Sequence, residues 1–325
     1  MENTKITCHL NEKITKGENL IYCSTMQLAW NELCDFVGGD IVLPNGETVT
    51  ETAVKELNKR SFKKTDLDPK CYIALAGLCK NGIVDKIKGT LKQNFNEMSK
   101  CNFSNLEPTD IIAYAFLLKI LEFEQKFEKI DYFEFMGKPV EAFGIEEVKS
   151  EHLTKLTHQV KILHYESPSE FTLSIKTKQK EFITLARLQP GDTFKRTLAN
   201  LEIDEATDLR KNETLQIPKI SFDLEHHFDE LKGNEVLISK KPKNKETGYY
   251  IDEAVQFIKF DLDECGAKLR SEAMLTMRYA AMISREAPRK FIFDEPFLII
   301  LRQTEDSPPY FAAWIENTEV LKERK

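Results

Sequence analysis

Residues 291–317 read FIFDEPFLIILRQTEDSPPYFAAWIEN. Two apolar runs, 291–302 and 309–315, are separated by a polar stretch that ends in two consecutive prolines. Short runs that are rich in aromatic and β-branched residues and bounded by turn residues are typical of strands. This stretch therefore predicts a pair of strands that closes the chain.

The second half of the chain contains several more runs of this kind. Besides the closing pair, we predict strands at 159–164, 171–175, 181–187, 215–222, 233–239 and 254–263. Segment 109–127, TDIIAYAFLLKILEFEQKF, is apolar enough for either a buried helix after Pro108 or a central strand. The polar first 18 residues fit a short strand or a tail. No repeat or low-complexity linker divides the sequence, so we predict a single domain, 1–325.

Helical patterns are concentrated in the first half. Ser24 and Gln27 have the spacing of a capping box, and apolar residues then recur at helical intervals until Gly38 stops the run. Further helical patterns cover 50–59 and 71–98. Helices in the first half and strands in the second predict an α+β fold with a large mixed sheet.

The balance of charges argues against nucleic acid as a partner. The chain has 46 basic and 53 acidic residues among 325, for a net charge of −7. Duplex nucleic acid requires a concentrated basic face, and the basic run KKPKNKETG at 240–248 is too short to supply one. We therefore expect no nucleic-acid partner.

Membrane spans and a secretory leader are not predicted either. No apolar run reaches the roughly 20 residues that cross a bilayer. The first residues, MENTKITCHLNEK, lack the apolar core of a signal peptide. We expect no membrane partner and a cytoplasmic location, with secretion left open if a leader has been removed.

Cysteine and histidine spacing points away from metal chemistry. The chain has seven cysteines without a CxxC pair and six histidines without HExxH or HxxxH spacing. We predict reduced thiols, no structural metal and no cofactor. Phosphate-binding loops and nucleophile elbows are missing from the sequence, so we do not predict an enzyme. Three acidic residues, Asp261, Asp263 and Glu264, leave an unrelated mixed-sheet enzyme as an alternative.

Three stretches together resemble the serpin family. AVQFIKFDLDECGA (254–267) is similar to the serpin hinge, a strand that ends in Asp-Glu-x-Gly, and IPKISFDLEHHFDEL (217–231) is similar to the family's Leu-Pro-Lys-Phe strand. The closing pair keeps the spacing of the family's last two strands at Phe291, Pro296, Phe297, Leu298, Leu301, Arg302, Tyr310, Phe311 and Ile315. Ala313 stands where the family usually has Gly. The resemblance runs from about 109 to the end, and the N-terminal half is shorter than the family norm.

The resemblance implies three sheets, one of them large and central, and a reactive-centre loop at about 265–290. In the family a protease cleaves this loop, and its first part then inserts into the large sheet as an extra strand. The implied partner is therefore a serine or cysteine protease. The implied hinge consists of Glu264, Gly266, Ala267, Leu269, Ser271 and Ala273.

Residues after Gly266 depart from the pattern of inhibitory serpins. Inhibitors prefer small residues here, whereas this chain has Leu269, Arg270 and Glu272. Every second residue from Ala267 to Ala273 could be buried in a strand, yet the same residues also favour a helix. Two further departures are Gln256, at the position of a family His, and Ala115, near which the Asn partner of that His aligns.

The position of the scissile bond is left open by the resemblance. Counting forward from the hinge leads to Ala280 and Ala281, whereas counting back from the closing pair leads to Arg285 and Glu286. Arg285 would suit a trypsin-like specificity pocket, in which a carboxylate pairs with the guanidinium. The departures predict a non-inhibitory serpin-fold protein that acts by binding. The alternative is a working protease inhibitor that is cleaved near Arg285.

Overall fold

The computed structural model describes residues 1–43, 48–146, 151–210, 212–233, 235–239, 249–268, 288–304 and 306–324. The chain forms two compact units, each assembled from separate stretches of sequence. Unit 1 comprises Met1–Tyr22, Lys119–Asp223 and Lys259–Lys325; unit 2 comprises Cys23–Leu118 and Leu224–Ile258. The single domain stays a prediction.

The described helices are short, and the three longest of them lie in the first half of the chain, as predicted. They are α1 (Thr25–Val37), α2 (Thr48–Asn58), α3 (Ile83–Phe95), α4 (Glu151–His158) and α5 (Phe194–Ala199).

Strands make up most of the remaining regular structure. In chain order they are β1 (Thr4–Thr7), β2 (Asn19–Cys23), β3 (Ile41–Val42), β4 (Tyr72–Leu78), β5 (Ile111–Leu117), β6 (Leu121–Glu122), β7 (Glu128–Ile130), β8 (Glu134–Phe135), β9 (Lys138–Pro139), β10 (Ala142–Ile145), β11 (Val160–Ser167), β12 (Glu170–Lys176), β13 (Phe182–Arg187), β14 (Thr207–Asp208), β15 (Thr214–Pro218), β16 (Ile220–His227), β17 (Glu235–Ile238), β18 (Tyr249–Tyr250), β19 (Val255–Asp263), β20 (Gly266–Lys268), β21 (Lys290–Ile292), β22 (Phe297–Arg302) and β23 (Phe311–Ile315).

Unit 1 is built around an eight-stranded mixed sheet. Its order is β1-β2-β23-β22-β13-β12-β11-β14, in which β1 and β2 are parallel. The predicted closing pair, β22 and β23, lies inside this sheet and is buried along almost its whole length, because side chains on both faces are covered. Leu298 and Trp314, which are paired across the two strands, pack with Tyr22 and Phe194 on one face.

A second sheet of unit 1, of order β21-β15-β10-β7, contains the strand at which the described chain resumes after Lys268. β21 pairs in parallel with β15, and Phe291 of β21 packs edge-on against Phe171 at 5.2 Å between ring centroids. A third sheet has the order β16-β19-β20-β6 and carries the candidate site. The predicted large mixed sheet and smaller sheets are thus confirmed.

Unit 2 holds the three longest helices and two small sheets. Antiparallel β4 and β5 pack against both α1 and α3. The α3 side of this contact is a cluster of Ile73, Ile83, Ile87, Leu91 and Tyr114. A separate three-stranded sheet has the order β18-β17-β3.

Two predictions in the first half of the chain were wrong. Residues 72–78, within the predicted helical pattern 71–98, form β4, and the helix begins only at Ile83. Ile73 and Ala74 are consecutive buried residues in a strand on which both α1 and α3 pack, and consecutive buried residues imitate the pattern of a buried helix. In 109–127 the helix alternative is wrong, because Ile111–Leu117 form a strand. That strand pairs with β4 in a two-stranded sheet among the described residues, so the predicted central position in a sheet is not confirmed.

The predicted capping box at Ser24 was also wrong. α1 begins at Thr25, but Ser24 has helical backbone angles and its side chain accepts no capping hydrogen bond. The Gln27 side chain instead donates to Asn31 Oδ1 at 2.9 Å and to the Leu57 carbonyl at 2.7 Å. A buried amide is held by tertiary contacts here, which sequence spacing does not reveal.

Two predicted strands are each divided into two. The strand predicted at 291–302 corresponds to β21 and β22. Pro296, which has no amide hydrogen to donate to a sheet, directly precedes β22. Prediction 215–222 corresponds to β15 and the start of β16. The break falls at Lys219, whose amide donates to Glu141 and whose carbonyl accepts from Lys322.

Candidate functional site at the end of strand β19

The candidate site is a tight turn between β19 and β20, entirely within unit 1. β19 ends at Asp263, whose Oδ1 accepts a hydrogen bond from the Cys265 amide at 2.8 Å. The chain then reverses, so that Gly266 pairs with Asp263 and Lys268 pairs with Asp261. The side chain of the last residue of the strand therefore stabilises the turn.

The strand β20 has a neighbour on its other edge as well. Gly266 pairs with Glu122, and Ala267 pairs with Leu121, both on β6. The Phe123 amide donates to the Cys265 carbonyl at 2.9 Å, and the Phe127 amide donates to the Glu264 carbonyl at 2.8 Å. The first residues after the turn are thus held between two strands.

Gly266 is the residue type that this arrangement requires. Its φ is +141°, a conformation that residues with a Cβ rarely adopt. A Cβ built at this position would lie 2.2 Å from the Leu121 carbonyl oxygen. The close approach of β20 to β6 therefore depends on the absence of a side chain.

Glu264, at the turn, is one member of a buried ion pair. Glu264 and Lys219 are each only 5% exposed, and Lys219 Nζ lies 2.8 Å from Glu264 Oε2. Lys219 Nζ is also 3.1 Å from Glu141 Oε2. The more exposed Lys126 and Lys129 approach the other Glu264 oxygen at 3.7 Å. Opposite charges thus compensate one another where solvent is excluded.

These contacts shift the protonation equilibria of the buried pair. Burial by itself would raise the pKa of Glu264, but the contact with Lys219 outweighs it, so the pKa lies below the ordinary value. Burial by itself would lower the pKa of Lys219, and Glu264 and Glu141 reverse that effect and raise it. Both groups are therefore charged at neutral pH.

The three acidic residues at the strand end do not act together. The Ser221 hydroxyl donates to Asp261 at 2.6 Å, Asp263 closes the turn, and Glu264 pairs with Lys219. Among the described residues, no group of three or more His, Cys, Asp and Glu side chains has the geometry of a metal site. No helix in the described part of the chain has the length and apolarity needed to cross a membrane.

The far end of the segment that follows the hinge is also anchored. The described chain resumes at Pro288, and Arg289 Nε donates to Glu213 Oε1 at 2.5 Å. The Arg289 guanidinium lies over the rings of Tyr165 and Phe291, at 5.5 and 5.4 Å from their centroids. No sequence pattern singled out Arg289 or Glu213.

The structure brings together three of the predicted hinge residues, Glu264, Gly266 and Ala267, with Ala267 buried at 5% exposure. The remaining predicted site residues lie outside the described residues: Leu269, Ser271, Ala273, Ala280, Ala281, Arg285 and Glu286. Lys219 and Glu141 were missed. The sequence held a signal for Lys219, because this lysine lies within the apolar stretch IPKISF and buried lysines need an acidic partner.

Gln256, which stands where the resemblance places a His, is buried in unit 2. Its Nε2 donates to the Cys23 carbonyl at 3.0 Å and to Thr25 Oγ1 at 2.7 Å. Ala115, near the expected Asn position, pairs with Ala74 on β4 and has only a methyl group to offer. Gln256 therefore bonds to the start of α1.

Comparisons with known proteins identify the fold. Neither a family model nor a curated protein sequence matches this chain. Solved structures do match, and several of them are serpins. Tengpin, a thermophilic serpin in its native state, has a TM-score of 0.53 at 12% identity, over 94% of this chain and 90% of that one.

Two animal serpins give similar values. A highly specific serpin of the insect Tenebrio molitor has a TM-score of 0.52 at 12% identity, over 93% of this chain and 92% of that one. The serpin from Schistosoma mansoni has a TM-score of 0.50 at 13% identity, over 91% and 95% of the two chains. The chain thus has a serpin fold that is far diverged in sequence.

Proposed function

We propose that this chain is a non-inhibitory serpin-fold protein that acts by binding through the segment between β20 and β21. The two ends of that segment are held by different sheets of unit 1, one at Glu264 and Gly266 and the other at Arg289. Such anchoring favours a role in which the segment is presented to a partner.

The main support for the proposal is the register in which β19 and β20 pair. Asp261 pairs with Lys268, so continuing the same register would put Leu269 opposite Phe260 and Arg270 opposite Lys259. Like charges directly opposite one another on a sheet are destabilising. Insertion in this register would therefore become unfavourable at Arg270, the second residue after β20.

The packing around Phe260 adds a steric penalty. Phe260 is 6% exposed and stacks on Phe311, with 4.5 Å between ring centroids; it also packs on Phe222 at 5.8 Å. An inserted Leu269 would need space beside these rings, and overpacking of a filled core costs about 1–3 kcal/mol. The resemblance implies that inhibitors have a small residue at this position.

The surroundings of Gln256 support the same interpretation. The resemblance implies a His–Asn pair beneath the sheet of an inhibitor that opens in a controlled way. Here the Gln256 amide is committed to Cys23 and Thr25, and Ala115 supplies no polar group. The pair that regulates opening is therefore not expected to form.

Catalysis is not part of the proposal. Asp261, Asp263 and Glu264, the acidic cluster that favoured an enzyme, are tied to three different partners. A pair of carboxylates in general acid–base catalysis would instead need to share one reacting site.

A working protease inhibitor is the second candidate, and β20 is the observation that favours it. Gly266 and Ala267 already lie between β19 and β6, and both residues are small. Insertion of the first two residues would then require no further opening of the sheet. In this case a serine or cysteine protease would be the partner, with cleavage near Arg285.

Incubation with trypsin-like and elastase-like proteases separates the two candidates. The proposal predicts cleavage between Lys268 and Pro288 without a complex that survives SDS. A covalent, SDS-stable complex of protease and chain would contradict it and support the inhibitor. Arg285→Ala is the informative variant, because an inhibitor that uses Arg285 would lose complex formation with the trypsin-like enzyme alone.

A further inference from the structure

Three backbone segments of unit 1 meet in a closed ring of hydrogen bonds beside the hinge. The Lys219 amide donates to the Glu141 carbonyl at 2.8 Å, the Glu141 amide to the Lys322 carbonyl at 2.9 Å, and the Lys322 amide to the Lys219 carbonyl at 2.9 Å. These residues are far apart in sequence, so each position is fixed by the other two.

Bridges on both sides of Lys322 extend this junction. Leu321 pairs with Ile220, and Glu323 pairs with Val140, each in antiparallel orientation. Leu321 is buried, and Val320 before it is fully buried. The backbone of Leu321–Glu323 is therefore attached to the two segments that carry Lys219 and Glu141.

The side chains at the ring continue into the hinge as a series of alternating charges. Lys322 Nζ lies 3.1 Å from Glu141 Oε2, and the same oxygen lies 3.1 Å from Lys219 Nζ. Lys219 Nζ then reaches Glu264 Oε2 at 2.8 Å. The series runs from a half-exposed lysine to a buried glutamate at the turn.

The order of charges determines how Lys219 is shared. Glu141 and Glu264 both attract its single ammonium group, and Lys322 neutralises part of the Glu141 charge from the other side. Without Lys322, Glu141 would attract the Lys219 ammonium more strongly. The contact between Lys219 and Glu264 would then weaken. A buried carboxylate that loses its partner is costly, so the turn then opens more often.

We propose that Lys322 and Glu141 are positioning residues for the hinge, acting through Lys219 on Glu264. The segment Leu321–Glu323 thus sets how firmly β20 is held between β19 and β6. This inference depends only on the contacts around Glu264 and does not require the proposed function, because it is tested without any protease.

Hydrogen exchange of a peptide covering 259–268 provides the test. Lys322→Ala should raise the exchange rate about threefold or more, the range expected when coupled residues lose their interaction. Glu141→Gln should lower the exchange rate, because it removes the carboxylate that competes with Glu264 for Lys219. Lys5→Ala is the matched control: it removes a similarly exposed lysine from a 2.9 Å ion pair elsewhere in unit 1, and it should leave the rate unchanged.

The double variant Lys322→Ala/Glu264→Gln distinguishes positioning from general loosening. If Lys322 acts through Glu264, the double variant should exchange no faster than Glu264→Gln alone. An exchange rate in Lys322→Ala equal to that of the unmodified chain would overturn the proposal, as would fully additive effects in the double variant. Circular dichroism checks that each variant is folded, and Lys322→Met provides a second variant that keeps the aliphatic part of the side chain.

Discussion

Glu264 and Lys219 are 45 positions apart in sequence, yet their charged groups lie 2.8 Å apart at the turn from β19 to β20. Both side chains are almost completely buried. Removing Lys219 would leave the buried Glu264 with only the more distant Lys126 and Lys129 to compensate its charge. This pair therefore fixes the end from which the segment after Lys268 departs.

Acid should loosen this end of the molecule. The pKa of Glu264 is lowered in the fold from an ordinary value of 4.5. A lowered carboxyl pKa contributes stability that is present above the unfolded value and is lost as pH falls through the folded value. We predict that the free energy of unfolding falls below about pH 4.5, and less steeply in Glu264→Gln.

Chemical denaturation at a series of pH values checks this prediction. Glu225, which lies on β16 and is exposed, provides a control in Glu225→Gln. Equal pH dependence in the unmodified chain and in Glu264→Gln would show that the ion pair does not contribute.

Replacing Gly266 should disturb the hinge without changing any charge. In Gly266→Ala the new methyl group would meet the Leu121 carbonyl, and the φ of +141° would be strained. We predict a loss of stability of about 1–3 kcal/mol and faster amide exchange at 121–123. The measurements are denaturant unfolding and hydrogen exchange.

Gly89→Ala is the matched control for this variant. Gly89 lies in α3, and a Cβ there has no neighbour within 4 Å. Because alanine favours helices more than glycine, this variant should be stabilised by up to about 1 kcal/mol. A Gly266→Ala protein as stable as the unmodified chain would contradict the close approach of β20 to β6.

The Gln256 amide should contribute to the stability of unit 2. In Gln256→Ala the Cys23 carbonyl and Thr25 Oγ1 lose a buried donor. We predict a loss of about 1–3 kcal/mol, the usual cost of unpaired buried polar groups. Gln93→Ala, at an exposed position of α3, should change the free energy of unfolding by less than about 0.5 kcal/mol. Similar losses in both variants would contradict the assigned role of Gln256.

Smaller residues after β20 should favour strand insertion. The double variant Leu269→Thr/Arg270→Thr removes the bulk that would face Phe260 and the charge that would face Lys259. After cleavage of the segment, we predict a larger rise in melting temperature for this variant than for the unmodified chain. Leu269→Ile/Arg270→Lys keeps bulk and charge and is the control. Identical responses of all three proteins would show that register does not limit insertion.

The strands of the second half were predictable because their apolar runs are short and separated by turn residues. The closing pair β22 and β23 is the clearest example, and its spacing also carried the resemblance. In contrast, β4 was mistaken for helix, because its sequence YIALAGL is apolar throughout and shows no polar alternation. Both α1 and α3 pack on this strand. The fold of the second half therefore follows from local pattern, whereas β4 depends on its neighbours.

The candidate site was only partly predictable for a similar reason. Glu264, Gly266 and Ala267 are adjacent in sequence and were identified together. Lys219 and Glu141 reach the site through tertiary structure, and nothing in the local sequence connects them to residue 264. Long-range ion pairs of this kind are set by the packing of segments and leave no spacing pattern.

We expect the segment after β20 to stay out of the sheet when it is cut. Thermal melting before and after a single cleavage between residues 269 and 287 measures whether it does. A trapping serpin is held in a metastable state and should become much more stable on cleavage, because the inserted strand releases stored strain. We predict that the melting temperature changes by less than about 5 °C, a shift that corresponds to roughly 3 kcal/mol in a chain of this size. A rise of tens of degrees would show instead that the cleaved segment inserts into the sheet.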